Sequence, residues 1–237
     1  MSNNWKLRTQ IVIGEDNINK LDKASVLVFG VGGVGGFAIE GLVRAGIGNI
    51  TIVDYDTVDP TNINRQIIAL NSTIGEAKVD VMEKRILDIN PYINIKKHKL
   101  LYDESTSDLI FSENYDYVVD AIDMVKSKIL LAQECDKRGL KLISCMGMGN
   151  KLDPTMIEIT DIYRTEMCPL AKVMRREMKK RYIKKLTVVY SKEKPSDTIL
   201  VEENGKSQRV NGSTSFVPSS AGLAIASYII RYLTDKL

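Results

Sequence analysis

The sequence predicts an α/β protein built around a doubly wound, mainly parallel β-sheet. Short and almost wholly apolar runs, such as 25–30 and 49–54, have the pattern of strands that are buried on both faces. Amphipathic segments of helical length separate such runs, and glycines fill the turn after the first one. A strand, a glycine-rich turn, a helix and a second strand form the unit that begins a Rossmann-like fold. A mixed α/β extension is expected at the C-terminus.

The elements of residues 1–150 follow from apolar periodicity and from glycine and proline stops. Strands are predicted at 25–30, 49–54, 93–97, 117–120 and 140–146. Helices are predicted at 34–45, 77–89 and 127–138. The first helix ends at Gly46 and the third at Gly139, while the second stops before Pro91, because proline disfavours helix in the preceding residue. These residues form the expected nucleotide-binding core.

Residues 151–237 have a different sequence pattern from residues 1–150. We expect them to form a substrate-facing extension of the same domain, so that 1–237 is a single domain. Strands are predicted at 156–160 and 186–190, a basic helix at 169–185, and a closing helix at 218–237. The polar stretch 191–212 contains Pro195, Gly205 and Gly212 and predicts a mobile loop.

Composition narrows the classes of function. The net charge of the 237 residues is only +3, so any nucleic-acid contact must come from a local cluster. The three cysteines form no CxxC pair, which excludes a four-cysteine zinc site and a secreted disulfide framework. The N-terminus lacks a signal-peptide pattern, and the apolar segment 221–233 is interrupted by Arg231 and too short to span a bilayer. We therefore expect a cytoplasmic protein with no integral membrane segment.

A glycine-rich segment follows the first strand and opens the first helix, as a phosphate-binding loop does. Gly30, Gly32 and Gly35 match the pattern GxGxxG, and Gly33 lies between them. Without side chains they let the backbone approach a phosphate at a helix N-terminus. Asp54 closes the second strand at the place where an acidic residue binds ribose hydroxyls. This pattern fits either a nicotinamide cofactor or ATP.

Three charged residues farther along the chain favour ATP. Arg65 and Lys78 are cations that can stabilise charge on the phosphate chain when the α-phosphate is attacked. Asp123 lies just past the strand 117–120, where open α/β sheets bind ligands, and a carboxylate there is a natural ligand for Mg²⁺. ATP and Mg²⁺ are therefore the predicted cofactors.

These motifs resemble the adenylation domain of the E1-like, ubiquitin-activating superfamily, chiefly across residues 1–160. The resemblance lies in the glycine loop 30–36, Asp54-Tyr-Asp56, the segment Asn62-Ile-Asn-Arg-Gln66, Lys78 and Asp120-Ala-Ile-Asp123. It implies that the aspartates at 54 and 56 bind the nucleotide, with Asp54 on the ribose. It also implies that Asn62, Arg65, Gln66 and Lys78 contact the phosphates, and that Asp123 binds Mg²⁺.

The same resemblance implies a homodimer. Arg8 precedes the first strand and is similar to an arginine that reaches into the active site of the partner subunit in this superfamily. Each of the two sites would then be composite, with residues from both chains. The implied catalytic set is Arg8, Arg65, Lys78 and Asp123.

Within the superfamily the chain resembles the tRNA threonylcarbamoyladenosine dehydratases. The similar phrases are 53–58, 64–67, 75–78, 89–91, 119–123, 152–155, 159–161 and 168–171. The resemblance implies that ATP adenylates the carboxylate of the threonylcarbamoyl group on adenosine 37 of tRNA, and that ring closure then expels AMP. Some members have a cysteine before the C-terminal helix that is linked to a sulfur-relay partner. The segment 211–213 has none, which argues against such a relay here.

A basic stretch in the extension is the candidate tRNA contact. Spacings of three and four residues place several of its cations on one face of a helix, opposed chiefly by Glu177. Such a face would bind the phosphate backbone with salt-dependent affinity, although a solvated basic helix is the alternative. The predicted tRNA-binding residues are Lys172, Arg175, Arg176, Lys179, Lys180 and Arg181.

Three other functions stay open at this point. An adenylyltransferase that activates the C-terminus of a ubiquitin-like sulfur carrier is disfavoured by the absent CxxC pairs and by the basic helix. A nicotinamide oxidoreductase is disfavoured by Arg65 and Lys78. A non-catalytic nucleotide-binding subunit is disfavoured by the presence of all the catalytic candidates.

Overall fold

The protein is organised around a seven-stranded sheet in a computed structural model that describes residues 5–203 and 206–237. The order across this sheet is β3-β2-β1-β4-β5-β7-β6, and all neighbouring strands are parallel except β6 and β7. The strands are β1 (Ser25–Phe29), β2 (Asn49–Val53), β3 (Asn94–His98), β4 (Tyr117–Asp120), β5 (Leu142–Cys145), β6 (Ile157–Asp161) and β7 (Thr187–Ser191), with β8 (Ile199–Glu203) and β9 (Lys206–Val210) forming a separate hairpin. The predicted mainly parallel sheet is confirmed.

Helices cover both faces of the sheet. They are α1 (Leu7–Ile13), α2 (Glu15–Lys23), α3 (Gly35–Ala45), α4 (Lys78–Ile89), α5 (Ser107–Ile110), α6 (Val125–Arg138), α7 (Pro169–Lys180) and α8 (Phe216–Leu233). Val26 and Val28 of β1 join the core with α3, α4 and α8, whereas Leu27 and Phe29 join the core with α6 and α7. Alternate residues of a strand point to opposite faces of its sheet, so these two groups of helices lie on opposite faces. The sheet is therefore doubly wound, as predicted.

The closing helix α8 packs closely on α3 because two glycines remove side chains from the contact. A Cβ added at Gly41 would lie 2.7 Å from the Cβ of Ala226, and one at Gly222 would lie 2.3 Å from the carbonyl oxygen of Val34. Among the described residues, α8 is the one helix whose length and apolar composition would allow it to cross a membrane. Its buried residues, including Ile225 and Ile229, lie in the core with α3, which agrees with the predicted packed helix.

The basic helix is shorter than predicted. Helix α7 ends at Lys180, whereas the charge pattern indicated a helix that continues to residue 185. The chain turns at Tyr182, whose φ is +57°, and places Ile183 and Leu186 in the core. Burial of these two apolar side chains outweighs the helix propensity of the lysines between them.

The segment 191–212 also differs from its prediction as a mobile loop. It contains the antiparallel pair β8–β9, which aligns Ile199 with Val210. The sequence contains an Asn-Gly pair at 204–205 between the two strands, and such a pair is a hairpin signal that the loop prediction overlooked.

Candidate active site

A cavity of about 480 Å³ opens at the carboxyl ends of β1, β2, β4 and β5. Most of its wall comes from four segments, 30–34, 53–56, 121–124 and 145–149. Strand β1 pairs with β2 on one side and with β4 on the other, so the chain winds in opposite directions from this point. Ligands of open α/β sheets bind at such a switch point, and the volume suits a small-molecule ligand.

Two glycines of the phosphate-binding loop are required by the backbone itself. Gly30 has a φ of +89°, and a Cβ there would lie 2.5 Å from the carbonyl oxygen of Ala121. A Cβ at Gly35, the first residue of α3, would lie 1.8 Å from the carbonyl oxygen of Gly30. Gly30, Gly32 and Gly33 line the cavity. The loop therefore presents bare backbone next to the N-terminus of α3, which is a favourable place for a phosphate.

Asp54 ties the end of β2 to the glycine loop. Its Oδ2 accepts a hydrogen bond from the backbone N–H of Val31 at 2.6 Å, and its Oδ1 accepts one from the N–H of Asp56 at 2.8 Å. Burial raises the pKa of Asp54 above its ordinary value, although these two hydrogen bonds oppose the shift. The carboxylate lines the cavity and retains acceptor positions for ribose hydroxyls.

Two cations lie in the cavity wall. Lys78 is 5% exposed, and its Nζ lies 2.8 Å from Oδ2 of Asp56. Arg65 is half-buried and donates from Nη1 to the carbonyl oxygen of Thr61 at 2.8 Å and to Oδ1 of Asn64 at 2.9 Å. A buried ammonium group is unfavourable unless it has a partner, and Asp56 supplies that partner for Lys78 in this structure.

The two predicted amide contacts are placed differently. Gln66 is buried in the cavity wall, and its Oε1 has no hydrogen-bond partner within the part of the chain that the structure describes. Such an orphaned polar atom is expected where a ligand completes the site. Asn62 does not line the cavity. Its Oδ1 accepts a hydrogen bond from the N–H of Asp59 at 3.2 Å and caps a short 3₁₀ turn.

Asp123 lies at the mouth of the cavity, exposed, just after β4. Asp56 and Asp123 both line the cavity, so carboxylates from the ends of β2 and β4 face the same space. The charge of Asp56, partial burial and the charge of Asp123 raise the pKa of Tyr55 there. No cluster of three or more His, Cys, Asp or Glu occurs among the described residues. A metal at Asp123 would therefore take its other ligands from phosphate oxygens and water, as Mg²⁺ commonly does.

Comparisons with known proteins identify the family of this chain. A family model described as the ThiF family matches residues 6–236. The chain belongs to the ThiF family. A tRNA threonylcarbamoyladenosine dehydratase of Bacillus subtilis is 43% identical over 243 residues, which cover 97% of this chain and 94% of that protein. The E1-like resemblance read from the sequence is confirmed.

Solved structures of a ThiF-family relative have the same fold. The E. coli tRNA N6-threonylcarbamoyladenosine dehydratase in complex with ATP has a TM-score of 0.88 at 32% identity, over 99% of this chain and 97% of that one. Its complex with AMP has the same TM-score. A more distant relative, the adenylyltransferase and sulfurtransferase of Vanderwaltozyma polyspora, is 40% identical over 132 residues, which cover 56% of this chain and 30% of that protein.

A buried ion pair lies next to the cavity and was not predicted from the sequence. Lys128 and Asp120 are both 0% exposed, and Nζ of Lys128 lies 3.0 Å from Oδ2 of Asp120. The same Nζ donates to the carbonyl oxygen of Ile122 at 2.9 Å, and Oδ1 of Asp120 accepts from the N–H of Ile122 at 3.1 Å. Ser144 donates its hydroxyl to Oδ2 of Asp120 at 2.5 Å. The pair thus holds both backbone groups of the residue that precedes Asp123.

Replacing Lys128 by methionine should lower the free energy of unfolding by about 3–5 kcal/mol, because Asp120 would be left as a buried and unpaired carboxylate. The double variant Lys128→Met/Asp120→Asn should recover part of that loss. Chemical denaturation of both proteins measures the difference. A single variant as stable as the wild type would show that the pair does not hold this loop.

Part of the cavity wall is apolar. Met124, Met146, Met148 and Leu170 supply apolar surface, and residues 211–213 close the side. Asn150 follows the wall segment 145–149 and joins it to residues 211–213. Its Nδ2 donates to Oδ1 of Asn211 at 3.1 Å, and its Oδ1 accepts from the N–H of Gly212 at 2.5 Å.

Helix α7 begins beside the cavity and carries the predicted basic residues. Lys172, Arg176, Lys179 and Lys180 are exposed, opposite the buried face of the helix. Arg175 is directed inward and donates to the carbonyl oxygen and hydroxyl of Thr165, both at 2.5 Å. Arg181 is half-buried, whereas Lys180 is exposed, and both pair with Glu177, at 2.6 and 2.9 Å. The structure thus leaves four of the six predicted tRNA contacts on one open face, which we call the basic face (Lys172, Arg176, Lys179 and Lys180).

Arg8 lies apart from the cavity of its own chain. It is exposed on α1, a helix with no buried residue. Ile11 and Val12 on the same helix are 73% and 77% exposed. An apolar helix surface of this kind is typical of a contact with another protein.

Proposed function

We propose that the chain is an ATP-dependent tRNA threonylcarbamoyladenosine dehydratase, which converts N6-threonylcarbamoyladenosine at position 37 of tRNA to its cyclic form. One observation carries the proposal: a phosphate-binding glycine loop, the cations Arg65 and Lys78, and the carboxylate of Asp123 line one cavity. A relative of that name is 43% identical over 94% of its own length, which supports transfer of the activity.

The first step joins the substrate to AMP. A carboxylate oxygen of the threonyl group attacks the α-phosphorus of ATP, the bond from that phosphorus to the bridging oxygen breaks, and pyrophosphate leaves. Arg65 and Lys78 stabilise the charge that develops on the phosphates. When bound at Asp123, Mg²⁺ would supply further positive charge to the phosphate oxygens.

The second step closes the ring. An atom of the carbamoyl group attacks the activated carbonyl carbon and loses its proton, and AMP leaves with the oxygen of the former carboxylate. Because the attacking group belongs to the same modification, the reaction is intramolecular and requires no protein nucleophile. The cysteines beside the cavity agree with this. Cys168 is buried, and burial raises the pKa of Cys145 to about 12, so its thiol stays protonated.

The proposal includes a homodimer with composite sites. Arg8 does not line the cavity of its own chain, and the exposed apolar residues near it on α1 are suited to a subunit contact. A closed two-fold dimer would bring Arg8 of each chain to the ATP phosphates of the other.

The basic face would meet the tRNA. It lies on the helix whose second residue, Leu170, lines the cavity, so a tRNA held along α7 would have its modified adenosine close to the ATP. Contacts with the phosphates provide affinity, whereas recognition of the modified adenosine in the cavity provides specificity.

The salt dependence of tRNA binding tests that face. Replacing Lys172, Arg176 and Lys179 by glutamine should weaken binding and lower the slope of log K against log salt by about one for each residue that contacts a phosphate. Lys84→Gln is the matched control, since Lys84 is an exposed lysine on α4. An unchanged slope in the triple variant would remove α7 from the tRNA interface.

Pyrophosphate exchange into ATP tests the proposed substrate, because it measures the first step alone. Exchange should require tRNA that carries the threonylcarbamoyl group and should not occur with the same tRNA lacking it. The sulfur-carrier alternative has support from the relative of Vanderwaltozyma polyspora. Exchange with a ubiquitin-like sulfur carrier in place of the modified tRNA would favour that alternative and overturn the proposal.

A further inference from the structure

The fold does not explain why residue 182 is a tyrosine. Its side chain is 88% exposed, and its φ is +57°, in the left-handed region that side chains disfavour. Exposed tyrosines and left-handed residues each have ordinary causes, but a large aromatic residue with both properties is uncommon. Backbone strain of this kind, observed first, is a reason to look for a function.

The turn at Tyr182 is required, but a tyrosine is not. The N–H of Tyr182 donates to the carbonyl oxygen of Lys179 at 3.2 Å, and the N–H of Ile183 donates to that of Met178 at 3.1 Å. These two bonds form a Schellman motif that ends α7, and its left-handed position is usually glycine. Ile183 is buried and its carbonyl oxygen accepts a hydrogen bond from Tyr163 at 2.5 Å, which holds the turn in place. Glycine at 182 would satisfy the same geometry without strain.

The surroundings of the ring indicate its partner. Lys179 and Lys180 precede it on the basic face, and Lys184 and Lys185 follow it, all four exposed. An aromatic ring projecting among cations is the arrangement with which proteins bind unpaired nucleic acid, since bases stack on the ring while lysines meet the phosphates.

We propose that Tyr182 stacks on an unpaired base of the tRNA. This inference rests on the proposed function, which makes tRNA the substrate. The helical rise from Leu170 to Arg181 is roughly 16 Å, so the stacked base differs from the modified adenosine in the cavity. The ring therefore contributes a second point of attachment, which orients the loop while the modified base enters the cavity.

Three variants separate stacking from other roles of the residue. Tyr182→Gly removes the ring and relieves the backbone, Tyr182→Phe keeps the ring, and Tyr92→Ala removes an equally exposed tyrosine beside β3, at the other edge of the sheet. The probes are an unmodified tRNA transcript and an RNA duplex of similar length that lacks unpaired bases. Binding, thermal unfolding and sedimentation are measured for each protein.

We expect Tyr182→Gly to bind the transcript about tenfold more weakly, and the duplex as the wild type does, with an unchanged or higher melting temperature. Tyr182→Phe and Tyr92→Ala should bind as the wild type does. Equal binding by Tyr182→Gly, a lower melting temperature or a changed sedimentation coefficient would each overturn the inference, the last by assigning the ring to a subunit contact. A wild type that binds the transcript but does not cyclise modified tRNA would instead contradict the proposed function alone.

Discussion

Replacing Asp123 by asparagine is expected to slow adenylation by about 100- to 1,000-fold, because the proposed mechanism uses the negative charge of Asp123 to hold Mg²⁺ against the phosphates. The fold should be unaffected. Asp123 is exposed at the cavity mouth, and surface substitutions usually change the free energy of unfolding by no more than about 0.5 kcal/mol. Pyrophosphate exchange at saturating modified tRNA measures the rate, and thermal unfolding checks the fold.

Asp16→Asn is the matched control for this substitution, since it makes the same chemical change at an exposed aspartate on α2. It should leave exchange unchanged. If Asp123→Asn retained near-normal exchange across a range of Mg²⁺ concentrations, the carboxylate would have no part in the reaction, and the metal would have to be sought elsewhere in the site.

Mixing two inactive variants should restore activity if each site is shared between subunits. In a dimer of Arg8→Ala with Asp123→Asn, one cavity has an intact Asp123 and receives an intact Arg8 from its partner. The other cavity has neither. Random exchange makes half of the dimers mixed, so the mixture should reach about a quarter of the wild-type rate.

Each variant alone is the control for this experiment and should stay inactive after the same subunit exchange. Sedimentation should show that both variants form dimers. No recovery in a mixture whose subunits have exchanged would mean that Arg8 acts within its own chain or not at all. An active Arg8→Ala protein would contradict its catalytic role directly.

The nucleotide-binding half of the fold could be predicted because its signals are local. Gly30 and Asp54 directly follow strands β1 and β2, and Gly35 begins helix α3. Ligands of parallel sheets bind at this edge, so these short segments indicate both structure and chemistry. The buried pair of Lys128 and Asp120 could not be found in this way. Its members lie on different elements, and a lysine in a helix gives no sign in sequence that it is directed into the core.

Side-chain direction was the part of α7 that the sequence could not supply. The charge pattern identified the helix, but it did not distinguish Arg175, which bonds to Thr165, from Arg176, which is exposed. The early end of the helix depends on burial of Ile183, which is set by tertiary contacts, and so the left-handed turn at Tyr182 was also missed.

The most direct test of the central claim is the mass of the modified nucleoside. The protein is incubated with ATP, Mg²⁺ and tRNA that carries N6-threonylcarbamoyladenosine, and Asp123→Asn is the inactive control. The tRNA is then digested, and the masses of its nucleosides are measured by mass spectrometry. The proposed function predicts that this nucleoside becomes lighter by one molecule of water while AMP and pyrophosphate are released in equal amounts. An unchanged nucleoside, with AMP joined to the C-terminus of a sulfur carrier instead, would contradict it.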